Sequence, residues 1–504
     1  MLDHERKKDR PESVALALLA GLTMAQVIAA LQTGAASRGL FRHLQAITAS
    51  GGMAVPTGRI VPGLVSMRAA LAGGLFFTLT IGALVSVFAI GWLRLWDAGG
   101  LRPAAGRWWL AGIGGAAAAA AFVQGSGGWV MAYLFFVPLA VCLADRRRLP
   151  AKNPRIFRVC ALWFLLPLII LAGAARPVCH SGIFFDVRDR LLLPTAAGRW
   201  VNDFYYRYTL FPAETFKSLG QKQMRTFCFQ GRGDKKQIRP VTDILIARDY
   251  FPVPADTQPD VTLRLAGTGG RRVIFDRGGR QVTVKLSDLT TYPGKSLRRV
   301  SDGLDTGRMM RRFTYISLLA GFPLLVYIIF FSGIRWLAGW MMPGRWACGL
   351  SALVCLLGGL AIIWALTAGR PDNLTTRTIP GYLAAEDGRQ RVAALKMMEK
   401  MRLDPFRFSV DIDFFRHRSM IERYWLARAL AHGRAEKAGQ VLIGMLEDPS
   451  PNVVCMALDS LGTRGNGRVT SRLLDLIKTS NHWYVQWHAY SALRRLGWRQ
   501  HVSD

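Results

Sequence analysis

Long apolar runs separated by polar stretches dominate the first 370 residues of the chain. Seven of these runs reach, or nearly reach, the length at which a helix rising about 1.5 Å per residue crosses a hydrocarbon layer about 30 Å thick. The pattern therefore predicts a multi-pass α-helical membrane protein, with five spans in residues 1–176 and two in residues 313–368. The predicted spans are 14–31, 69–93, 108–123, 129–144, 159–175, 313–331 and 346–368.

The first run, 14–31, has two interpretations. It follows a cluster of four basic residues and precedes small residues at Ala35 and Ala36, which is typical of a cleaved secretory signal. The run is long for the apolar part of a signal, however, and its leader carries acidic residues as well as basic ones. We expect an uncleaved anchor, and cleavage stays the alternative.

Basic residues beside the apolar runs predict an orientation. The densest cluster is Arg146, Arg147 and Arg148 between the fourth and fifth runs, whereas the short turn 124–128 has no basic residue. Because Lys and Arg are retained in cytoplasmic loops, the N-terminus is expected in the cytoplasm. Seven spans then leave the two large polar parts, 177–312 and 371–504, outside it. Only the four arginines between residues 34 and 68 argue against this orientation, because it places them outside the cytoplasm.

The first polar part, 177–312, is basic and reads as a small α+β domain. The stretches 261–265 and 281–286 alternate apolar and polar residues with a period of two, and 272–275 lies between them. Glycine-rich turns separate all three stretches. This spacing predicts an antiparallel meander, preceded by helical residues.

The second polar part, 371–504, carries an internal repeat. Similar helical segments recur at an interval of 31 or 32 residues, and a second set of apolar helices alternates with them. A fixed period with two helices per unit is typical of an α-solenoid. The recurring segments start at Ala393, Trp425, Met456 and His488.

The motif that opens the third repeat, Asp-Pro-Ser-Pro-Asn-Val-Val at 448–454, is followed by Ala-Leu-Asp-Ser-Leu-Gly at 457–462. This pattern resembles short bacterial HEAT-type repeats over about 390–498. The resemblance implies a helical solenoid that serves as a binding scaffold, and it implies no chemistry.

The formal net charge of +32 narrows the class of partner. In a soluble protein such a charge would suggest nucleic acid. Here many of the basic residues flank apolar runs, where anionic lipid headgroups attract each Lys or Arg by about 1 kcal/mol. We therefore expect a bilayer with anionic headgroups, and not nucleic acid, as the counterpart of this charge.

Two groups of aromatic and basic residues are candidate contact surfaces. The first follows the fifth run and is expected to contact lipid headgroups or a partner, unless it is an interfacial helix that docks the domain on the membrane. The second lies in the repeats and is expected to bind a protein partner, unless its aromatic residues are core. The first group is Arg188, Arg190, Tyr205, Tyr206, Arg207 and Tyr208, and the second is Trp425, Arg428, Trp483, Trp487 and Arg494.

Short motifs that resemble catalytic, cofactor-binding or metal-binding sites lack the neighbouring residues that such sites require. The glycine-rich stretch 112–117 lacks the strand and the acidic residue that a dinucleotide site needs, and 294–296 lacks the first glycine of a phosphate-binding loop. We therefore predict no catalytic, cofactor or metal site. A disulfide between Cys179 and Cys228 is predicted if their segment faces an oxidising compartment.

Three functions remain as hypotheses. The first is a membrane-anchored scaffold, without enzymatic activity, that recruits a protein partner through extracytoplasmic repeats, in a bacterial inner membrane. The second is a membrane subunit of a transport system or of a lipid or polysaccharide export system. The third is a transferase acting on lipid-linked substrates. The spans contain no ionisable residue deep in their apolar stretches, which disfavours a proton-coupled transporter.

Overall fold

The computed structural model describes residues 12–98, 103–123, 128–145, 154–176, 178, 182–230, 235–267, 271–368, 374–408, 418–465 and 467–500. These residues are mostly helical and include one small mixed sheet.

The apolar runs before residue 177 form long helices. A π-helical turn at Thr78–Gly82 joins two of them into one continuous rod. The helices are α1 Glu12–Ala49, α2 Val61–Val65, α3 Met67–Phe77, α4 Ala83–Ala98, α5 Pro103–Val123, α6 Gly128–Asp145 and α7 Pro154–Ala174.

Helix α1 is much longer than the apolar run that predicted it. The run ends at residue 31, but the helix continues to Ala49. Polar Gln32, Thr33 and Ser37 are buried along this extension, as are Ala46 and Ile47 near its end, so the helix beyond the apolar run packs against the rest of the protein. This extension reaches the mixed sheet. Ser50 donates a hydrogen bond to the Pro252 carbonyl over 2.7 Å, and a ring nitrogen of His43 lies 2.9 Å from the Gln258 carbonyl.

The bundle is built by close approach of small residues. Helix α1 packs against α3, α4 and α6. A Cβ atom added at Gly82 would collide with Ala25 of α1, and one added at Gly74 would lie only 3.0–3.3 Å from atoms of Ala29 and Ala30. Some polar groups inside the bundle find partners on these helices, whereas the Gln32 Nε2 and the Ser86 hydroxyl have none among the described residues. Thr33 donates to the Ala70 carbonyl over 2.7 Å, which satisfies its buried hydroxyl.

Residues 183–216, here called segment 183–216, follow α7 as a chain of short helical turns. The bounds are α8 Ile183–Val187, a π turn Arg188–Leu192, α9 Ala196–Phe204, a second π turn Tyr205–Thr209, α10 Leu210–Ala213 and a 3-10 turn Glu214–Phe216.

The sheet follows this segment in the order β2-β1-β3-β4-β5. The predicted meander is confirmed: β3 pairs antiparallel with β4 and β4 with β5, so that Leu263 lies opposite Phe275. Two strands parallel to their neighbours, β1 and β2, were not predicted. The elements are β1 Arg225–Phe229, α11 Lys235–Ile246, β2 Tyr250–Pro252, β3 Val261–Ala266, β4 Arg272–Arg277, β5 Arg280–Lys285, α12 Leu286–Thr291 and α13 Pro293–Gly303.

The chain then returns to the bundle through α14 Arg308–Ile316, a π turn Ser317–Gly321, α15 Phe322–Ala338 and α16 Gly344–Thr367. Helices α15, α16 and α7 pack together. Five described helices are long and apolar enough to cross a membrane, and Val159–Ala174 is a shorter apolar helix. The five are Val14–Ala49, Met67–Trp96, Gly128–Asp145, Arg308–Ala338 and Gly344–Thr367.

The C-terminal part forms two rows of helices around one hydrophobic core. The predicted repeat centres fall on an inner row, in which α18, α19, α21 and α23 pack one on the next, while α20 and α22 form an outer row. The turn predicted before residue 451 is confirmed, since α21 starts at Pro451. The bounds are α17 Ile379–Ala384, α18 Gly388–Met401, α19 Met420–Ala429, α20 Glu436–Gly444, α21 Pro451–Arg464, α22 Thr470–Thr479 and α23 Trp483–Arg495.

Candidate functional site

The two groups of candidate contact residues, one in segment 183–216 and one in the repeats, contact each other. The indole Nε1 of Trp425 donates to the Asp189 carboxylate over 2.8 Å. The indole of Trp483 donates to the carbonyls of Tyr206 and Arg207 over 3.0 and 3.2 Å. The inner row of the repeats therefore binds the chain's own segment 183–216.

Asp189 is the centre of the first contact. Its carboxylate accepts from Arg188 over 2.7 Å and lies 3.0 Å from the Lys396 ammonium, in addition to the bond from Trp425. Asp189 and Arg188 are both buried. Since an isolated buried charge is costly, these three donors are what allows a carboxylate between the two parts of the protein.

Aromatic rings surround the cations of this contact. The Arg188 guanidinium lies 4.0 Å from the centre of the Tyr424 ring, which is cation–π distance. Burial acts to lower the pKa of Arg188, but Tyr424 and Asp189 outweigh it and raise that pKa above its ordinary value. Arg188 therefore remains charged in the contact. Arg428 is placed in a similar way, since its guanidinium lies 4.9 Å from the centre of the Trp425 ring and pairs with Glu399 at 2.6 Å.

Arg190 connects this first contact to the helix bundle. Its Nη1 donates to the carbonyls of Ala365 and Ala368 over 3.4 and 2.5 Å. These carbonyls belong to the C-terminal end of α16, where backbone oxygens have no partner within the helix and where a cation is favourable. Arg190 thus fixes segment 183–216 at the end of an apolar helix.

Trp483 forms the second contact and is only 1% exposed. Its ring packs edge-on against Phe211, with ring centres 5.5 Å apart. The neighbouring Tyr484 contacts Tyr206 at 5.1 Å and stacks on Trp487 at 5.8 Å. The Lys217 ammonium lies over the Trp487 ring, 4.8 Å from the ring centre.

The second π turn points its tyrosines in different directions. Tyr206 faces the repeats, whereas Tyr205 faces α3 and contacts Phe76 at 5.2 Å. Burial raises the pKa of Tyr205 to about 12.

The other two predicted residues of this turn are less enclosed. Arg207 is exposed and lies 3.8 Å from Asp203, and Tyr208 is half-buried against Phe204. Of these four residues, only Arg207 is exposed.

The last repeat also contacts the sheet. Arg494 pairs with Asp249 at 2.8 Å, and the Tyr490 hydroxyl donates to the same carboxylate over 2.6 Å. Asp249 has a positive φ of 62° in the turn before β2, a conformation that Asp tolerates better than most residues. The Gln486 side chain in turn accepts from the Thr57 amide over 2.9 Å.

A small cavity lies where α1, the 3-10 turn, the sheet and α23 meet, with a volume of about 60 Å³. It is lined by His43, Glu214, Lys222, Asp260 and Trp483 among others. A volume of this kind has room for a few waters, since about 10–15 Å³ of it is enough to hold one.

The cavity is charged although it is buried. Lys222 and Asp260 form an ion pair of 2.5 Å, and His43 lies 4.0 Å from the same carboxylate. Burial alone would raise the pKa of Asp260, but Lys222 and His43 outweigh it and bring that pKa to about 2. Burial raises the pKa of Glu214 even though Lys217 is 2.5 Å away. Among the described residues, no group of three or more His, Cys, Asp or Glu side chains could bind a metal ion.

The structure therefore changes the interpretation of the predicted surfaces. Trp425 and Trp483 are buried against segment 183–216, so in this arrangement they cannot also face an external partner. Sequence reasoning missed Asp189, the acceptor of the Trp425 N–H, which lies in the run of alternating charges at 186–190, and it missed Asp249. Cys228 is a buried free cysteine on β1, and its proposed partner Cys179 lies outside the described residues.

Comparison with protein families identifies only the C-terminal part. A family model described as HEAT repeats matches residues 412–494, which confirms the resemblance inferred from the repeat motifs. No curated protein and no solved structure matches the chain.

Proposed function

We propose that this chain is an integral membrane scaffold. The apolar helices anchor it, and the repeats, segment 183–216 and the sheet together form one platform outside the bilayer. The observation that carries the proposal is the inner row of the repeats, which binds segment 183–216 through Trp425 and Trp483. With its inner row occupied, the repeat domain is left with its outer row, α20 and α22, for a protein partner.

The surface of the apolar helices supports membrane insertion. Ile169 of α7, Phe330 of α15 and Leu357 of α16 are all more than half exposed, on helices with few charged residues. An apolar surface of this extent is unfavourable in water and is typical of lipid-facing helices. We propose a bacterial inner membrane, with the N-terminus in the cytoplasm and the platform outside it.

Contacts between distant parts of the chain limit the number of spans. Thr57 contacts Gln486 of the repeats, and Asp249 of the sheet contacts Arg494 of the repeats. Residues 57, 249 and 494 must therefore be on the same side of any bilayer. The chain then crosses an even number of times between residues 57 and 249, so α5 and α7 either both cross or both do not. We propose that both cross, which makes seven spans when α1 is included, whereas crossing by only one of α5 and α7 is incompatible with these contacts.

The outer row is suited to a protein partner of mixed charge. It exposes acidic and basic side chains, including the pair Glu436–Arg468 at 3.0 Å and the pair Glu447–Arg472 at 2.7 Å. Exposed pairs of this kind contribute little to stability, so they are free to exchange partners in an interface.

Site-specific photocrosslinking in the intact membrane protein tests the scaffold proposal. A benzophenone side chain at Gln440 or Ser471, both exposed in the outer row, is expected to give a discrete adduct with one partner. The same side chain at Tyr292, which is 66% exposed beside the sheet, is the control and should give none. Absence of adducts at both outer-row positions, in protein that is correctly inserted, would refute partner binding through this row.

The second candidate function, a subunit of a transport or export system, is favoured by one observation. Polar groups lie deep in the bundle: the Tyr133 hydroxyl donates to Gln32 over 2.9 Å, and the Gln32 Nε2 has no partner among the described residues. The π turns Thr78–Gly82 and Ser317–Gly321 also pack on each other, and π turns are frequent at functional sites. This function predicts that Q32C reacts with a membrane-impermeant thiol reagent while buried I81C does not. Equal protection of both would contradict a water-filled path.

A further inference from the structure

Helix α9, Ala196–Phe204, is fixed at both ends to the ends of apolar helices. On its N-terminal side, the π turn before it carries Arg190, which donates to carbonyls at the C-terminal end of α16. On its C-terminal side, the Tyr208 carbonyl lies so close to Gly73 that a Cβ atom there would collide with it. Gly73 is in the second turn of α3, which starts at Met67. Both ends of α9 are therefore level with the ends of candidate spans.

The two faces of α9 differ in burial. Gly198 and Asn202 are buried against the rest of segment 183–216, whereas Ala196, Ala197, Trp200 and Val201 are exposed. These four exposed positions lie on one side of a helix, because at about 100° per residue their spacing of one, four and five residues places them within an arc of about 140°. Trp200 is 66% exposed and Val201 is 45% exposed. The protein thus leaves an aromatic and an aliphatic side chain uncovered at this level.

Other exposed aromatic and basic residues lie at the same end of the bundle. Phe184 contacts Tyr315 with ring centres 5.9 Å apart, both rings are largely exposed, and Tyr315 is in the first turns of the candidate span that begins at Arg308. Arg199 and Arg207 are exposed on and just after α9. Tryptophan and tyrosine are enriched at the headgroup level of a bilayer, and arginine there is attracted by anionic lipids.

We propose that α9 lies in the plane of the membrane as an interfacial helix, with Trp200 and Val201 inserted between lipids and Arg199 and Arg207 beside anionic headgroups. The occupant of this face is the bilayer surface, because the two attachments of α9 hold it at the level where α3 and α16 leave the lipid. The inference rests on the proposed membrane anchoring. It moves the lipid contact from Tyr205 and Tyr206, which pack inside the protein, to the opposite side of the same segment.

The experiment compares three single-cysteine additions, W200C, Y292C and F330C, each labelled with an environment-sensitive fluorophore. Tyr292 has the same exposed fraction as Trp200, and Phe330 is exposed within the candidate span Arg308–Ala338. Each full-length protein is reconstituted into vesicles of phosphatidylcholine and phosphatidylglycerol, with nitroxide-labelled lipid as one quencher and aqueous iodide as the other. Protein without an added cysteine gives the background from the natural thiols.

The label at 200 is expected to emit at shorter wavelength than the label at 292 and to lose intensity with nitroxide lipid, while the label at 292 responds to iodide. Iodide quenching at 200 equal to that at 292, with lipid quenching at 330, would overturn the interfacial helix and leave the anchoring intact. Protection of 200 from both quenchers would show that protein covers this face, and would also overturn it. Absence of lipid quenching at 330 would instead overturn the membrane anchoring itself.

Discussion

Replacing Trp425 with Phe should loosen the attachment of segment 183–216 to the repeats. Phenylalanine keeps an aromatic ring against Phe185 and Tyr424 but has no N–H to donate to Asp189. The carboxylate then keeps Arg188 and Lys396 as its only donors among those described. The change therefore removes one hydrogen bond without removing the charges around it.

The size of the effect follows from the nature of that bond. A buried hydrogen bond to a charged group contributes about 1.5–3 kcal/mol. Taking about 2 kcal/mol, the population of the detached state rises roughly 30-fold, since each 1.4 kcal/mol is a factor of ten. The smaller ring adds a cavity term of the same sign, so this figure is a lower estimate.

Hydrogen–deuterium exchange of the full-length protein in detergent measures this population directly. Amides of residues 183–209 should exchange faster in W425F, while peptides from α22 keep their rates because that helix packs on α23 and on the turn before it. W498F is the matched control, since its ring contacts Tyr490 within the last repeat. An increase of less than about threefold in residues 183–209, or an equal increase in W498F, would refute the hydrogen bond as a determinant of docking.

Three further predictions concern topology and charge. Reporter fusions after residues 152, 250 and 504 should read cytoplasmic, outside and outside, and opposite readings at 250 and 504 would contradict the contact between the sheet and the repeats. Burial lowers the pKa of His488 from 6.5 to about 4, so the unfolded chain takes up a proton between these pH values that the folded protein does not. Stability should therefore fall by up to about 3 kcal/mol as pH drops from 6.5 to 4. H488Q should flatten the pH dependence of the urea midpoint, and an unchanged pH profile in this variant would disprove the role of His488. K222M leaves Asp260 buried without its lysine partner and should lower the free energy of unfolding by about 3–5 kcal/mol, as measured by heat or urea. K217M removes the cation of a more exposed pair and should lower it by under about 1 kcal/mol. Equal costs for the two variants would argue against the buried pair.

The repeats could be predicted from the sequence because their signal is local. Each repeat carries its own apolar spacing and its own turn, and the interval of 31 or 32 residues made the four inner helices visible without knowledge of their contacts. The meander β3–β4–β5 was predictable for the same reason, since adjacent strands and short glycine turns are neighbours in sequence.

Elements that depend on distant partners were not predictable in this way. β2 has only three residues, and β1 and β2 become strands through parallel pairing across a helix. The end of α1 was missed because apolarity predicts where a helix can cross lipid, and not where an amphipathic helix stops.

The contact between the repeats and segment 183–216 was not predicted. Aromatic and basic composition suggested Trp425 and Trp483 as contacts of a partner, and Arg188 and Tyr206 as contacts of lipid headgroups or a partner, but composition does not say what a residue contacts. The hydrogen bond from Trp425 to Asp189 joins residues 236 positions apart in the chain, and that from Trp483 to Tyr206 joins residues 277 apart. Only the folded chain brings these pairs together.

That long separation has a consequence for biosynthesis. Asp189 leaves the ribosome 236 residues before Trp425, an interval of roughly 12–47 s at about 5–20 residues per second. Throughout that time the Arg188–Asp189 pair has been synthesised but the helix that covers it has not. A nascent chain arrested before α19 would keep this charged and aromatic surface open, which makes the synthesis of α19 the step that covers it.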